Sequence, residues 1–270
     1  MRDYLSFQLY GPLSAWGDIA VGETRPSSLA PSKSAVLGLL AAALGLRRPD
    51  TTQDATLGPQ WETQHLALAN GYGMAVKLTQ PGLPLTDFQT AEVPRKTGYA
   101  TRREEILEVV RQKRSEVKFS GTILSRRDYR QDAFAAVALW AREGAPHTLA
   151  ELRDALLAPV FTLYLGRKSC PLALPLMPVI ASAENIETAL ADLSFSATAK
   201  QIWDNDQQTA ERVIGKMVED TPMLFWDADA ETGIAPDQQT RFTRRDQPAS
   251  RRRWQFAVRE ERQAHWPSGA

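Results

Sequence analysis

The chain carries one cysteine, Cys170, in 270 residues. That excludes an intramolecular disulfide and a paired-cysteine metal site. Histidine is almost as scarce. His65, His147 and His265 lie far apart, and no His/Cys cluster has ligand spacing, so no metal is expected. No apolar run is long enough to span a bilayer. The opening "MRDYLSFQLYGPL" has neither a long apolar core nor a small-residue cleavage site, so a cytoplasmic protein without a membrane partner is expected. No Walker-type loop or dinucleotide fingerprint occurs, so no cofactor is expected either.

Net charge is also absent overall, yet it is unevenly spread. Glu92 to Arg130 holds eleven Lys/Arg against six Asp/Glu, and Glu184 to Asp237 holds three against twelve. Arg241 to Arg262 holds eight Arg against three acids. Two basic regions and one acidic region suit a protein that meets a polyanion on one side, or an ordinary solvated surface. The length suits one main domain with additions.

Period-two alternation from Tyr4 to Leu9 predicts a strand, with Tyr4, Ser6 and Gln8 on one face and Leu5, Phe7 and Leu9 on the other. "PSKSAVLGLLAAALGLRRPD" predicts a buried helix capped by Ser32 or Ser34, with Gly45 near its end and Pro49 beyond. "YGMAVKL" and "AFAAVALW" predict strands. "HTLAELRDALLAP" carries a capping box, Thr148 with Glu151, ahead of a helix. "LPLMPVIA", Leu174 to Ala181, predicts a buried strand placed at an edge or bulge by its prolines. Residues 81 to 132 show no core element and predict a long hairpin with arms beginning near Phe88 and ending near Tyr129. After residue 181, "FSATAKQIWDND", "RVIGKMV" and "RRRWQFAVRE" predict short strands or turns of a small appended unit. The order is βαββαβ: an α+β, ferredoxin-like split motif over residues 1–180, with an insertion at about 88–132 and a small region at 181–270. RNA-recognition modules use this scaffold, though their sequence signature is missing, so it is RRM-like in topology only.

Four stretches in order, "GPLSAWG", "TRPSSLAPSKSAVLGLLAAALGL", "RRDYRQDAFAAVALW" and "YLGRKSCPLALPL", resemble the CasD family of Cascade subunits in type I-E CRISPR systems. These belong to the repeat-associated mysterious protein superfamily. The likeness covers most of residues 3 to 180. It implies a ferredoxin-like palm and a β-hairpin thumb that together hook the 5′ handle of the crRNA. It implies contacts to the adjacent backbone subunit and to the large subunit that reads the protospacer-adjacent motif, with target DNA an indirect partner. The family member in this subtype is normally non-catalytic.

The apolar run Phe161 to Ile180 is broken by "GRKSC". Gly166 permits a turn that lifts Arg167, Lys168 and Ser169 toward a phosphate or base edge, or toward an acidic neighbour. Cys170 reads as a small buried residue, with a thiolate nucleophile the other reading. Ser32, Lys33 and Ser34 open a helix and could hold an anion, joined by Arg25, or merely cap it. In the hairpin, Arg95, Lys96, Tyr99, Arg102, Arg103, Arg126, Arg127, Tyr129 and Arg130 offer cations and stacking faces. Trp16 could stack on a base or pack between subunits. The Arg-rich "TRRDQPASRRRW" could touch guide RNA, DNA or an acidic partner face. Asp204, Asp206, Asp227 and Asp229 read as solvent-facing loop acids. Three functions follow: a subunit that caps the 5′ end of a guide RNA, a metal-independent endoribonuclease of CRISPR repeat RNA, and a scaffold that touches RNA incidentally.

Overall fold

The structure is a computed structural model and describes residues 1–49, 54–94, 104, 119–193 and 222–267. Strand β1 (Arg2–Tyr10) is followed by four two-residue strands: β2 (Leu13–Ser14), β3 (Trp16–Gly17), β4 (Thr24–Arg25) and β5 (Ser27–Ser28). Helices α1 (Lys33–Ala43) and α2 (Leu57–Gly71) lead into β6 (Tyr72–Gln80). The hairpin arms are β7 (Leu83–Pro94) and β8 (Phe119–Gln131), and β9 (Phe134–Ala141) returns to the core. Helix α3 (Leu149–Leu157), β10 (Val179–Ala183), α4 (Ile186–Leu190), β11 (Met223–Asp227), β12 (Thr240–Ser250) and β13 (Gln255–His265) follow.

One seven-stranded sheet has the order β10-β1-β9-β6-β11-β13-β12, antiparallel throughout. The last three strands therefore extend the sheet built by the first part of the chain. Two of them, β12 and β13, are eleven residues each, longer than the short strands expected. The segments "FSATAKQIWDND" and "RVIGKMV" lie outside the described residues.

Alternation sorts the sheet into two cores. Leu5, Phe7 and Leu9 of β1, Met74, Val76 and Leu78 of β6, and Val137 and Leu139 of β9 pack with α1, α2 and α3. Tyr4, Ala75, Ala136, Ala138 and Trp140 face the other way, against Ile186 and Leu190 of α4 and Ile234. The likeness to RNA-recognition modules is one of topology, and the difference from them lies in this second core. The sheet face that an RNA-recognition module leaves open for stacked bases is here buried by α4 and the loop after β11.

Local signals hold well. Ser32 caps α1, its side-chain oxygen accepting from the Ala35 N–H at 3.2 Å. Gly45, at φ +75°, ends α1 in a Schellman motif, with Leu46 N–H to Ala41 O at 2.8 Å and Gly45 N–H to Ala42 O at 3.1 Å. Thr148 and Glu151 close the predicted capping box on α3. The strand expected from Leu174 starts instead at Val179, and it is mostly exposed rather than buried. It is an edge strand, and Pro175 and Pro178 fall in the loop before it. The hairpin arms begin at Leu83, five residues earlier than expected. Helix α2 was not anticipated. Its start is held by Asp54, whose carboxylate accepts from the Thr56 and Leu57 N–H groups.

Candidate nucleic-acid interface

The foot of the β7–β8 hairpin is where the predicted site residues meet. β8 is held on one side by β7, from Leu83↔Gln131 through Phe88↔Arg126. On its other side it pairs with β2 at Arg130 and Gln131 and, in parallel, with β4, setting Thr24 against Arg126 and Arg25 against Arg127. Period two then divides the basic residues. Arg126 and Arg130 share one face with Asp128, while Arg127 and Tyr129 share the other.

The "GRKSC" loop packs against the second of these faces. Gly166 sits at φ +85°, and a Cβ there would lie 1.9 Å from Ala15 O, so both conformation and space require glycine. Leu165 N–H donates to Cys170 O at 2.8 Å and Cys170 N–H to Arg167 O at 2.9 Å, which closes the turn. The Arg167 guanidinium donates to Asp128 O and to Arg25 O, both at 3.2 Å, and lies 4.7 Å from the centre of the Tyr129 ring. One side chain thus ties loop, hairpin and β4 together. Its partners are carbonyls, not the acidic neighbour that the sequence left open. Lys168 and Ser169 are exposed at the tip. Cys170 is buried, and burial pushes its thiol up, which argues against a thiolate nucleophile.

On the opposite face Arg126 lies 5.1 Å from the ring centre of Phe88, itself 56% exposed. Phe88 was not singled out from the sequence as a site residue; only the cross-strand register places it beside an arginine. Thr86 donates to Asp128 at 2.8 Å on this face, and Arg130 donates to Gly82 O at 3.4 Å. Arg25 donates locally, to Gly22 O and Thr24 O. Beside the foot, Tyr10 donates to Asp132, and burial together with that carboxylate pushes its phenol up to about 12.

Several expectations need correction. Trp16 is 4% exposed and part of the helix-side core, so its ring offers no stacking face. Tyr129 is also buried, beneath Arg167. The anion-binding logic of the α1 tip is right, but the anion is the protein's own. The Lys33 N–H donates to the Asp246 carboxylate at 2.7 Å, and the Lys33 ammonium, 2% exposed, donates to Asp227 at 2.6 Å. Ser32 is buried as the cap, and Ser34 is in hydrogen-bond contact with it. Asp227 is not a loop acid. It is buried in β11, where it also meets Arg142 and Arg259, each at 2.9 Å. Arg259 in turn meets Asp246 and Glu261, and Arg244 meets Glu261 and Ala30 O. Two of the eight arginines between Arg241 and Arg262, Arg244 and Arg259, are thus held in an internal network. Arg95, Lys96, Tyr99, Arg102 and Arg103 lie outside the described residues.

The foot therefore assembles Arg25, Arg126, Arg127, Arg130, Arg167 and Lys168 around a rigid corner, with Asp87 and Asp128 as interspersed acids. Arg25, Arg126 and Lys168 are exposed and Arg127, Arg130 and Arg167 half-buried, and Arg126 lies over an exposed aromatic ring, an arrangement that suits a nucleic-acid strand held by its phosphates and one or two bases.

The chain as a whole is similar to known proteins. The chain is 32% identical over 224 residues to the CRISPR system Cascade subunit CasD of Escherichia coli (strain K12), covering 83% of this chain and 90% of that one. A solved structure described as a CRISPR RNA-guided surveillance complex matches with TM-score 0.59 at 19% identity, over 97% of this chain and 90% of that one. Another, described as the crystal structure of a Cas protein, matches with TM-score 0.56 at 25% identity, over 98% and 95%. The family model described as CRISPR-associated protein (Cas_Cas5) spans residues 4–262. The chain belongs to the Cas5 family of CRISPR-associated proteins.

Proposed function

We propose that this chain is a non-catalytic subunit of a Cascade-type surveillance complex and holds the 5′ handle of the crRNA at the foot of its β7–β8 hairpin. The observation that carries this reading is the Arg167 brace. It fixes the loop bearing Lys168 and Ser169 against the strand bearing Arg126, Arg127 and Arg130. The strand order β10-β1-β9-β6, with α1 and α2 before β6 and α3 before β10, supports a ferredoxin-like palm over residues 1–180 with the hairpin as its thumb. The described strands β11, β13 and β12 of the region 181–270 then serve as an extension of the palm sheet rather than a freely attached unit. Adjacent backbone and large PAM-reading subunits are the expected neighbours, with target DNA reached through them.

The test is handle binding by the double variant Lys168→Ala/Arg126→Ala. Each lost phosphate contact should flatten the slope of log affinity against log salt by about 0.7. Affinity for handle RNA should fall while the melting temperature holds. Unaltered affinity in a folded variant defeats the reading. An endoribonuclease needs a general base among these cations. His65 is instead buried with Nε2 3.1 Å from Arg47 O, and Lys33 is committed to Asp227, so neither of these described residues favours that alternative. Specific cutting of repeat RNA in EDTA would reverse the choice.

A further inference from the structure

A second basic cluster lies away from the hairpin foot, where the turn between β12 and β13 meets the exit of α1. The turn is Arg251–Arg252–Arg253–Trp254. It is pinned from α2: the Glu62 carboxylate accepts from the Arg251 N–H at 3.1 Å and the Arg252 N–H at 3.0 Å. Arg253 N–H donates to the Ser250 hydroxyl at 3.1 Å. Trp254 is held at φ +53°, a conformation that bulky side chains rarely adopt, and the residue is 47% exposed. Over that ring lie Arg251, at 5.3 Å, and Arg48, at 4.7 Å, which arrives from the residues just past the Schellman end of α1. Arg47, Arg48, Arg252 and Arg253 are exposed. Two segments some two hundred residues apart in sequence thus bring five arginines to one surface, ordered by Glu62 and Trp254.

Unlike the largely buried Arg259 of the β11–β13 network, Arg47, Arg252 and Arg253 are exposed. A strained aromatic in a turn pinned by a carboxylate is a costly way to make an ordinary loop, and such strain persists where a geometry is used. The surface is rich in guanidinium groups, and its one exposed indole already carries two of them. That chemistry reads phosphates rather than bases. Concentrated fixed cations match the ligand of highest linear charge, double-stranded DNA, which carries about one negative charge per 1.7 Å. We infer that the β12–β13 turn with Arg47 and Arg48 is a sequence-independent contact for the backbone of duplex DNA, separate from the handle site.

The experiment compares the full chain with Arg252→Glu/Arg253→Glu and, from the other segment, Arg47→Ala. The probes are a random-sequence DNA duplex and single-stranded handle RNA, each titrated across a salt series. The expected result is duplex affinity lowered on the order of tenfold at low salt in the double variant, with the salt slope flatter by about two. Arg47→Ala should flatten it by about one, and handle RNA affinity should stay unchanged in both. Duplex affinity and slope equal to wild type overturn the inference. An equal loss on both probes also overturns it, by merging the turn with the handle site. So does an effect seen only as failed assembly with partner subunits, which would mark an acidic protein face. Failure of the handle site itself is read separately, from Lys168→Ala/Arg126→Ala.

Discussion

Arg167 and Lys168 are neighbours with the same formal charge and different work. Arg167 spans two backbone carbonyls and a tyrosine ring, while Lys168 is exposed at the tip. A hydrogen bond from a charged donor stabilises by about 1.5–3 kcal/mol, and surface substitutions usually stay within about 0.5 kcal/mol. Arg167→Ala should therefore lower unfolding free energy by about 2 kcal/mol in urea titration, whereas Lys168→Ala should leave it in place. Arg167→Lys should recover little, because an ammonium cannot reach both carbonyls in one plane while covering the ring. Equal stability of the two alanine variants would show that the brace is idle. From sequence the pair looked alike. Their separation depends on Asp128 O and Arg25 O, which arrive from 39 and 142 residues away.

Among the elements, those whose causes are local were readable in advance. β1 shows its alternation in six consecutive residues, and α1 carries its serine cap and terminal glycine. α3 announces itself through Thr148 and Glu151. Thr148→Ala should cost about 1 kcal/mol, seen as a lower urea midpoint with an unchanged denaturant slope, since the cap is confined to one helix end. Elements whose causes are distant were not readable. α2 begins with Leu57-Gly58-Pro59 and is started by an upstream aspartate. β12 and β13 run to eleven residues each, β13 joining the sheet at β11 and β12 adding to β13. The same distinction runs through the site. Arg126, Arg127 and Arg130 were visible as a basic run, but the partner strands that decide which face each takes were not. Lys33 looked like an anion ligand because the anion it holds, Asp246, lies 213 residues on.

For the molecule as a whole, the covered rear face of the sheet has a measurable signature in Lys77. This β6 residue points into the layer behind the sheet, where its ammonium donates to Leu190 O at 3.0 Å and Ala191 O at 3.2 Å and lies 4.0 Å from the centre of the Trp266 ring. Burial outweighs the nearby Asp192 and lowers its pKa from 10.5 to about 8. The unfolded chain keeps this proton up to near 10.5, while the folded chain releases it from about 8. Between those values the unfolded state binds more protons, so this group's contribution to stability rises with pH across that window and is flat below it. Wild type should therefore gain on Lys77→Met as denaturation is followed from pH 8 upward. A constant difference between the two would place the ammonium in water.

The central position of β6, between β9 and β11, also matters during synthesis. A nascent chain that has emerged only through β10 holds β6 as an open edge, its outward backbone groups unmatched, and leaves the buried lysine at the α1 tip without Asp227 or Asp246. Both gaps close only when the final strands leave the ribosome. Premature stops anywhere before β11 should thus yield a sticky, unfinished sheet rather than a smaller working protein.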